Sequence, residues 1–466
     1  MSSDTAPLSM EVIIVGAGLC GVTTAFRLCQ LGHRVHVIDK GSPNERQGGA
    51  YCPPNLTKCL DHWGLGKEIQ KFTVPARAAR FISLDSGEIT GYLEWEEDVI
   101  YETGADYLLI GHQDLWNVMY NAAVAAGALF SFETLVTSVE AGPPRVRLSN
   151  GQIYHADMII GADGPRSIVR EAVTGETYNE TPEGHCVYVA TVSRNLFKHD
   201  QELYEFTAFH PERPEFNFWT GDGHHGAFFV IGGGEVVAIH LFLNEEITEG
   251  HVTEDVASDG AMVPIEALNI PGEPKLQRLL KYISELKRTR MYNRKFLEDW
   301  VDESGRLLLM SEAAYPILPY SPQSGSLQIE DAAVLTTLLA KLKTKDQIPN
   351  LLSAFHEIRQ CRVETLYNKE YKAIEWFRIP PGEARNARDE ALRAMMGAGR
   401  KGWDESKLKW QWEEIADVFG YHAIEAAEDW WMAWGILRER SEVADAWGNI
   451  PRPLTQSLIA DCASVS

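Results

Sequence analysis

The segment at residues 11–41, EVIIVGAGLCGVTTAFRLCQLGHRVHVIDKG, constrains the fold more than any other part of the chain. Its apolar run from Val12 to Val15 is typical of a parallel strand that is buried on both faces. A G-x-G-x-x-G pattern follows, then a helical stretch to about Gln30 and a second apolar strand that ends before Asp39. This order predicts a β-α-β unit within an α/β fold.

The residues of this pattern have separate physical roles. Gly16 permits a tight turn, Gly18 leaves room for a pyrophosphate, and Gly21 lets the helix pack closely on the strand. The helix N-terminus favours phosphate charge, and Asp39 can accept hydrogen bonds from ribose hydroxyls. The pattern therefore predicts an adenine dinucleotide site, without separating FAD from NAD.

Composition excludes several classes of partner. The chain has 43 Lys and Arg against 66 Asp and Glu, a net charge of -23, which argues against binding to nucleic acid or to anionic membranes. Its cysteines are odd in number and none has C-x-x-C spacing, so we expect reduced thiols, no disulfide scaffold and no metal site. The polar N-terminus and the lack of a long apolar run predict a cytoplasmic protein without an integral membrane segment.

Two later segments add to the pattern. Residues 150–170 read as a strand followed by the turn Asp163-Gly164 and a helix that Ser167 can cap. Residues 305–335 read as a buried strand, the turn Ser311-Glu312, a Pro-rich loop and a helix.

In this order the segments resemble the single-component flavin-dependent aromatic hydroxylases, the group of para-hydroxybenzoate and salicylate hydroxylase. Residues 45–65, 109–123 and 218–242 extend the resemblance over most of the chain. It implies a Rossmann-like FAD-binding domain with an inserted antiparallel-sheet substrate domain and C-terminal helices. The implied division is FAD-binding parts at 1–75, 106–175 and 301–375, a substrate-domain hairpin at 76–105, the substrate domain at 176–300 and a helical region at 376–466.

The resemblance also implies a reaction and a cofactor site. In that family NAD(P)H reduces FAD, and dioxygen then gives a flavin C4a-hydroperoxide that transfers oxygen to an electron-rich ring. The residues that would contact FAD are Gly16, Ala17, Gly18, Gly21, Asp39, Lys40, Arg46, Gly49, His112, Asp163, Gly164, Glu312, Pro319, Gln323, Ser324 and Gly325.

The chain departs from the family pattern mainly where the ribityl, pyrophosphate and ring portions would lie. Gln47 replaces a glycine, His112 an arginine, Ser311-Glu312 a Gly-Asp pair, Pro322-Gln323-Ser324 a Gly-Gln-Gly loop, and Tyr315 a histidine. The serines add Cβ atoms, Pro322 removes an N–H group, and His112 is shorter than arginine and lacks its fixed charge.

These departures leave competing hypotheses. The first is an FAD- and NAD(P)H-dependent monooxygenase that hydroxylates or epoxidises an aromatic or polyketide-derived secondary metabolite. The second is a non-redox enzyme, a cyclase, isomerase or pericyclase, on a scaffold that binds FAD weakly or not at all. A catalytically silent binding protein is the third.

The substrate domain supplies the candidates for proton transfer. Alternating apolar stretches and a concentration of aromatic residues predict an antiparallel sheet beside a cavity for a small molecule. His210, His225 and His240 fall in this domain, and Tyr315 stands beside the flavin loop, where it either donates into the cavity or packs under the loop. The Trp-rich C-terminal helices predict docking on the FAD-binding domain or a dimer contact, so we expect a monomer or homodimer.

Overall fold

The computed structural model describes residues 6–44, 46–176, 180–211, 214–247, 260–398 and 405–437. The strands are β1 (Glu11–Val15), β2 (Arg34–Ile38), β3 (Gly49–Cys52), β4 (Val74–Pro75), β5 (Ala78–Ser83), β6 (Ile89–Glu94), β7 (Leu108–Gly111), β8 (Leu129–Ser131), β9 (Val136–Glu140), β10 (Arg145–Leu148), β11 (Ile153–His155), β12 (Met158–Gly161), β13 (Thr181–Ser193), β14 (Glu215–Thr220), β15 (His225–Ile231), β16 (Val236–Asn244), β17 (Met262–Pro264), β18 (Glu285–Asn293) and β19 (Leu307–Leu309). The helices are α1 (Leu19–Gln30), α2 (Pro54–His62), α3 (Gly66–Ile69), α4 (Glu97–Glu102), α5 (His112–Ala125), α6 (Ile168–Thr174), α7 (Gln201–Phe206), α8 (Pro274–Leu280), α9 (Ser324–Leu339), α10 (Ile348–Phe377), α11 (Glu383–Ala398), α12 (Glu405–Phe419) and α13 (Ala423–Trp430).

A parallel sheet carries the glycine-rich turn. Its strand order is β19-β12-β1-β2-β8, and every neighbouring pair is parallel. Helix α1 packs against α5 and α9, and the strands β1, β12 and β19 are almost wholly buried. The predicted β-α-β unit and the α/β fold class are therefore confirmed.

A second sheet is largely antiparallel and is built from the predicted substrate domain and its hairpin. Its order is β17-β18-β13-β16-β15-β14-β5-β6, and only the β14–β5 pair is parallel. The hairpin β5–β6 thus extends the sheet built by the later strands. The described residues also form two three-stranded sheets, with the orders β3-β7-β4 and β11-β10-β9. The division into six sequence segments stays a proposal.

The C-terminal helices pack on both sheets. Helix α13 packs against α9, which itself packs on α1, and α11 packs against β6 of the antiparallel sheet. Within the helical region predicted at residues 376–466, a helix ends at Phe419, so α12 and α13 are separate helices, and a π-helical turn at Trp431–Gly435 follows α13. In the part of the chain that the structure describes, we find no helix long and apolar enough to cross a bilayer.

A buried ion network fixes the turn before α9. Arg359 of α10 pairs with Glu330 and Asp331, each at 2.7 Å, and all three side chains are fully buried. The other oxygen of Asp331 accepts hydrogen bonds from Ser311 N at 2.9 Å and from the Tyr315 hydroxyl at 2.7 Å. The network therefore ties the turn at residues 311–313 to two helices of the core.

Candidate functional site

Three adjoining cavities, together called the crevice, extend from the glycine-rich turn to the antiparallel sheet. The glycine-motif cavity, of about 440 Å³, is lined by Gly16, Gly18, Asp39, Lys40, Arg46, Asp163, Gly164, Ser311, Glu312 and Gln328, among others. The central cavity, of about 240 Å³, is lined by Gly49, Tyr51, His112, Lys287, Glu312, Pro319, Tyr320, Ser321, Ser324, Gly325 and Gln328, among others. The aromatic cavity, of about 270 Å³, is lined mainly by Tyr51, Phe81, Trp95, Tyr107, Phe216, Phe218, His225, Tyr320, Ser321, Gln323, Glu370, Phe377 and Phe419.

Shared wall residues show that these cavities adjoin one another. Glu312 and Gln328 line both the glycine-motif and central cavities. Tyr51, Tyr320 and Ser321 line both the central and aromatic cavities. A long ligand can therefore occupy the first two cavities and present one end to the third.

The glycines divide into those that serve packing and those that leave room for a ligand. A Cβ on Gly16 would lie 2.2 Å from Ala162 O, and one on Gly21 would lie 2.0 Å from Gly16 O, so both glycines are required by protein contacts. A Cβ on Gly18 or Gly164 would meet nothing within 4 Å, although both residues line the cavity. These two positions leave empty space that a side chain would fill.

Polar groups surround that space. Ala17 N and Gly41 N donate to the two carboxylate oxygens of Asp39, which fixes the carboxylate at the end of β2. Arg46 lies 4.0 Å from the centre of the Trp116 ring and donates from Nη2 to Ala17 O at 2.8 Å. An acceptor for ribose hydroxyls and a cation for phosphate thus line the same cavity.

Asp163 adds an oxygen that the protein leaves without a partner. Its Oδ2 accepts a hydrogen bond from Ile168 N at 2.8 Å, whereas its buried Oδ1 has no donor among the described residues. Burial raises the pKa of this carboxyl. Because an unsatisfied buried acceptor is costly, the orphaned oxygen favours a bound donor such as a ribose or ribityl hydroxyl. The residues present in this cavity fit an adenine dinucleotide.

In the central cavity, the uncharged His112 stands where the family resemblance implies an arginine, but the N-terminus of a helix also lines the cavity. Burial, with Arg46 and Lys287 nearby, lowers the pKa of His112 to about 4, so its ring is uncharged at neutral pH. Ser324 folds its hydroxyl back onto Ser321 O at 2.8 Å. Ser324 and Gly325, the first residues of α9, line the cavity, so the positive end of a helix dipole lies beside it.

Ser311 keeps a backbone conformation that normally belongs to glycine. Its φ is +57°, in the left-handed region, and Asp331 holds its N–H group in place. Left-handed geometry costs a residue with a Cβ about 1–2 kcal/mol. Glu312, the next residue, lines two of the cavities and pairs with Arg294 at 3.5 Å. The turn therefore keeps its shape although Ser311-Glu312 replaces the Gly-Asp pair of the family, and the backbone of Ser311 is strained.

Replacing Ser311-Glu312 by Gly-Asp should show how much these two side chains weaken FAD binding. In the double variant Ser311→Gly with Glu312→Asp we expect FAD affinity to rise about tenfold, or about 1.4 kcal/mol, because the serine Cβ and one glutamate methylene are both removed from the cavity wall. Equilibrium titration with FAD measures it. Ser311→Ala is the matched control, since it keeps a Cβ in the same conformation and should not improve binding. Equal affinity of the double variant and the wild type would contradict the steric argument.

The aromatic cavity has one buried carboxylate in an apolar wall. Trp95, Tyr107 and Phe216 stack at 5.3–6.0 Å between ring centres, and Phe419 meets Trp95 and Tyr107 edge-on. Glu370 of α10 accepts hydrogen bonds from Ser321 Oγ at 2.8 Å and from Gln323 N at 2.7 Å. Burial raises its pKa from 4.5 to about 7, although the two donors oppose the shift.

This raised pKa predicts a pH-dependent stability. The folded protein holds the Glu370 proton up to about pH 7, whereas the unfolded chain releases it near pH 4.5, so the folded state loses stability as pH rises between these values. We expect Glu370→Gln to stabilise the protein by up to about 3 kcal/mol near pH 8 and much less near pH 5. Urea unfolding at both pH values measures this. The same change at the exposed Glu375 is the control, and an equal gain at both pH values would contradict the account.

Two of the histidine candidates lie at the crevice. His225 lines the aromatic cavity, stacks on Phe242 at 4.2 Å and accepts a hydrogen bond at Nδ1 from Arg378 Nε at 3.1 Å. His240 lies behind the central cavity, where its Nε2 accepts a hydrogen bond from Gly49 N at 3.1 Å. Burial lowers the pKa of both rings, that of His240 to about 3, so neither is a cation at neutral pH.

The structure corrects other expectations. Tyr315 is buried in the core, where its hydroxyl donates to Asp331 and its ring lies against Trp300, so it cannot reach a substrate. His210 is half exposed and faces Glu205 away from the crevice. We withdraw both as catalytic candidates. Gln323 lines the aromatic cavity and accepts a hydrogen bond from Asn55 Nδ2, and its contact with FAD stays a prediction.

Sequence reasoning missed several residues of the crevice. Gln328 follows Ser324 by one helical turn, donates to its carbonyl and lines two cavities. Its i, i+4 spacing from the loop could have indicated it. Glu370 and Lys287 reach the site from distant helix and strand positions, and no local signal marks them.

Comparison with known proteins identifies the class. A family profile described as an FAD binding domain matches residues 9–370. The chain belongs to this family, and FAD is the cofactor that defines it. Monooxygenases and hydroxylases of the hydroxybenzoate and salicylate type are among its relatives, which confirms the resemblance drawn from the motifs.

Particular relatives cover nearly the whole chain. The FAD-dependent monooxygenase OpS4 of Beauveria bassiana is 26% identical over 434 residues, which is 92% of this chain and 98% of OpS4. The 3-amino-4-hydroxybenzoate 2-monooxygenase of Streptomyces cremeus is 25% identical and covers 84% of this chain and 94% of that enzyme. The crystal structure of CtdE with FAD and a substrate superposes with a TM-score of 0.73 at 17% identity, over 92% of this chain and all of CtdE.

Proposed function

We propose that the protein is an FAD-dependent monooxygenase that uses NAD(P)H and dioxygen to hydroxylate or epoxidise an aromatic or polyketide-type secondary metabolite. The observation that carries the proposal is that the three cavities adjoin one another. The glycine-motif cavity shares Glu312 and Gln328 with the central cavity, which in turn shares Tyr51, Tyr320 and Ser321 with the aromatic cavity. Full-length similarity to fungal monooxygenases such as OpS4 supports it.

The residues of the glycine-motif cavity would hold the adenosine and pyrophosphate of FAD. Asp39 would accept from the ribose hydroxyls, the open side of Gly18 would admit the phosphates, and Arg46 would neutralise their charge. The unpaired Oδ1 of Asp163 would take a hydroxyl donor. These roles belong to binding and orientation.

The central and aromatic cavities would hold the reacting partners. When bound, FAD supplies activated oxygen, with one atom entering the substrate and the other leaving as water while NAD(P)H is oxidised. The N-terminus of α9 faces the central cavity and stabilises negative charge there. The aromatic walls exclude water from the oxygen transfer and orient a flat substrate.

The non-redox alternative also has support from particular residues. Ser311 is strained, His112 is uncharged, and Pro322 leaves the loop without an N–H group at its position. Each of these weakens a flavin site. A cyclase, isomerase or pericyclase would use the aromatic chamber alone to shape a reactive intermediate.

Isotopic labelling separates the two functions. The purified protein, saturated with FAD, is incubated with NADPH or NADH and candidate aromatic or polyketide substrates under heavy-oxygen gas. The monooxygenase predicts one labelled oxygen atom in the product, with nicotinamide oxidation and oxygen uptake in equal amounts. Product formation without oxygen or nicotinamide would overturn it and establish the alternative.

Further features of the proposal follow from the chain as a whole. The partner is a small molecule rather than nucleic acid, in keeping with the net charge of -23. We place the protein in the cytoplasm, as a monomer or homodimer. Size-exclusion chromatography with light scattering tests the oligomeric state.

A further inference from the structure

Glu370 stands out in the aromatic cavity because its charge has no counter-ion there. Its side chain is buried, with 9% of the residue exposed, and both of its oxygens accept hydrogen bonds from the loop at Ser321 and Gln323. Within the described ranges, its carboxylate forms no ion pair with Lys, Arg or His. A buried carboxylate without a cation is costly, and it remains so unless a ligand supplies the charge.

The basic residues nearby are engaged elsewhere. Lys369, the preceding residue on α10, also lines the cavity, but its side chain is about half exposed and lies 3.9 Å from Asp417. Arg378, near the end of the same helix, pairs with Glu183 at 3.5 Å and donates to His225. His225 itself is uncharged at neutral pH, because burial and the Arg378 charge lower its pKa. The groups facing Glu370 from β3 and from the segment before β7 are Tyr51 and Tyr107, which are neutral at that pH.

The rest of the chamber also suits a cation. Its walls are built from aromatic rings, chiefly Trp95, Tyr107, Phe216, Phe218 and Phe377. The negative faces of such rings attract an ammonium group, most strongly where water is excluded. A carboxylate on the substrate would instead be repelled by Glu370, and Lys369, which also lines this cavity, is paired with Asp417.

We propose that the aromatic cavity takes an aromatic substrate that carries a protonated amine, and that Glu370 binds this amine as its counter-ion. The inference rests on the proposed function, since it treats the chamber as the substrate site beside FAD. Glu370 is then a specificity-determining residue that fixes which end of the substrate faces the central cavity. The net charge of -23 favours the approach of such a cation through long-range attraction.

Three probes with the same ring system test the proposal. Naphthylmethylamine, naphthol and naphthoate present an ammonium, a neutral hydroxyl and a carboxylate. Their binding to the FAD-saturated protein is measured by calorimetry near neutral pH. We expect the amine to bind at least about tenfold more tightly than either of the others. Glu370→Gln should remove that preference, and Glu375→Gln, the same change at an exposed position of α10, should retain it.

The variants keep the test independent of folding and of redox activity. Glu370→Gln is expected to be at least as stable as the wild type, so lost amine binding cannot be assigned to unfolding, and naphthol affinity reports the state of the cavity. The proposal is overturned if naphthol binds more tightly than the amine, or if the amine does not bind. It is also overturned if Glu370→Gln binds the amine as tightly as the wild type does. If the protein prefers the amine but consumes no oxygen, the monooxygenase function is wrong. The assignment of Glu370 as counter-ion to the amine then still holds.

Discussion

Gly18→Val is expected to abolish FAD binding in a protein that still folds. The Gly18 backbone has φ -63° and ψ 178°, a conformation that valine adopts readily, and a Cβ there meets no protein atom within 4 Å. The new side chain instead projects into the cavity where the pyrophosphate would lie. We expect a loss of at least about a thousandfold in FAD affinity, or about 4 kcal/mol, with stability changed by only about 1 kcal/mol.

Gly16→Val provides the contrast. At Gly16 φ is +104° and a Cβ would lie 2.2 Å from Ala162 O, so this variant should lose its folded structure. Titration with FAD and urea unfolding are measured on both proteins. FAD affinity in Gly18→Val close to that of the wild type would show that the ligand does not approach this turn.

Arg359→Met is expected to destabilise the protein by about 3–5 kcal/mol. The change leaves Glu330 and Asp331 buried in the core, and Asp331 loses the only arginine partner that it has among the described residues. Arg362 still pairs with Glu330, so the cost falls mainly on Asp331. Asp331 also accepts hydrogen bonds from Ser311 N and the Tyr315 hydroxyl. We therefore expect the turn at residues 311–313 to be destabilised together with the core.

A surface arginine gives the matched control. Arg393 pairs with Glu88 at 3.3 Å, with both side chains largely exposed, and Arg393→Met should cost less than about 1 kcal/mol. Urea unfolding monitored by circular dichroism compares the two variants. A loss of stability in Arg359→Met no greater than in the surface variant would contradict the role given to the network.

The local pattern near the N-terminus predicted its structure well. The apolar run at Val12–Val15 and the glycines at 16, 18 and 21 have strong short-range meaning, and the observed strand, turn and helix follow them. The class of the second sheet was also predictable, since alternating apolar residues at 226–231 and 236–241 fall in β15 and β16. Periodicity succeeds in these places because neighbouring residues determine the element.

Residues brought together over long distances were not predictable in the same way. Tyr315 occupies a position beside the flavin loop in the sequence, but a hydrogen bond to Asp331 turns it into the core. Glu370 lies in a long helix whose pattern indicates only a helix, and its place in the cavity depends on how α10 crosses the loop at 321–323. Tertiary packing, rather than local propensity, decides which side chains meet.

Titration of the purified protein with FAD decides whether the adjoining cavities form one flavin-binding crevice. We expect saturable binding of a single FAD per chain, with quenched flavin fluorescence and loss of flavin absorbance at 450 nm (roughly the position of the oxidised ring's band) when NAD(P)H is added. A protein that leaves FAD free in solution, with unchanged fluorescence at concentrations of about 100 μM, would contradict it.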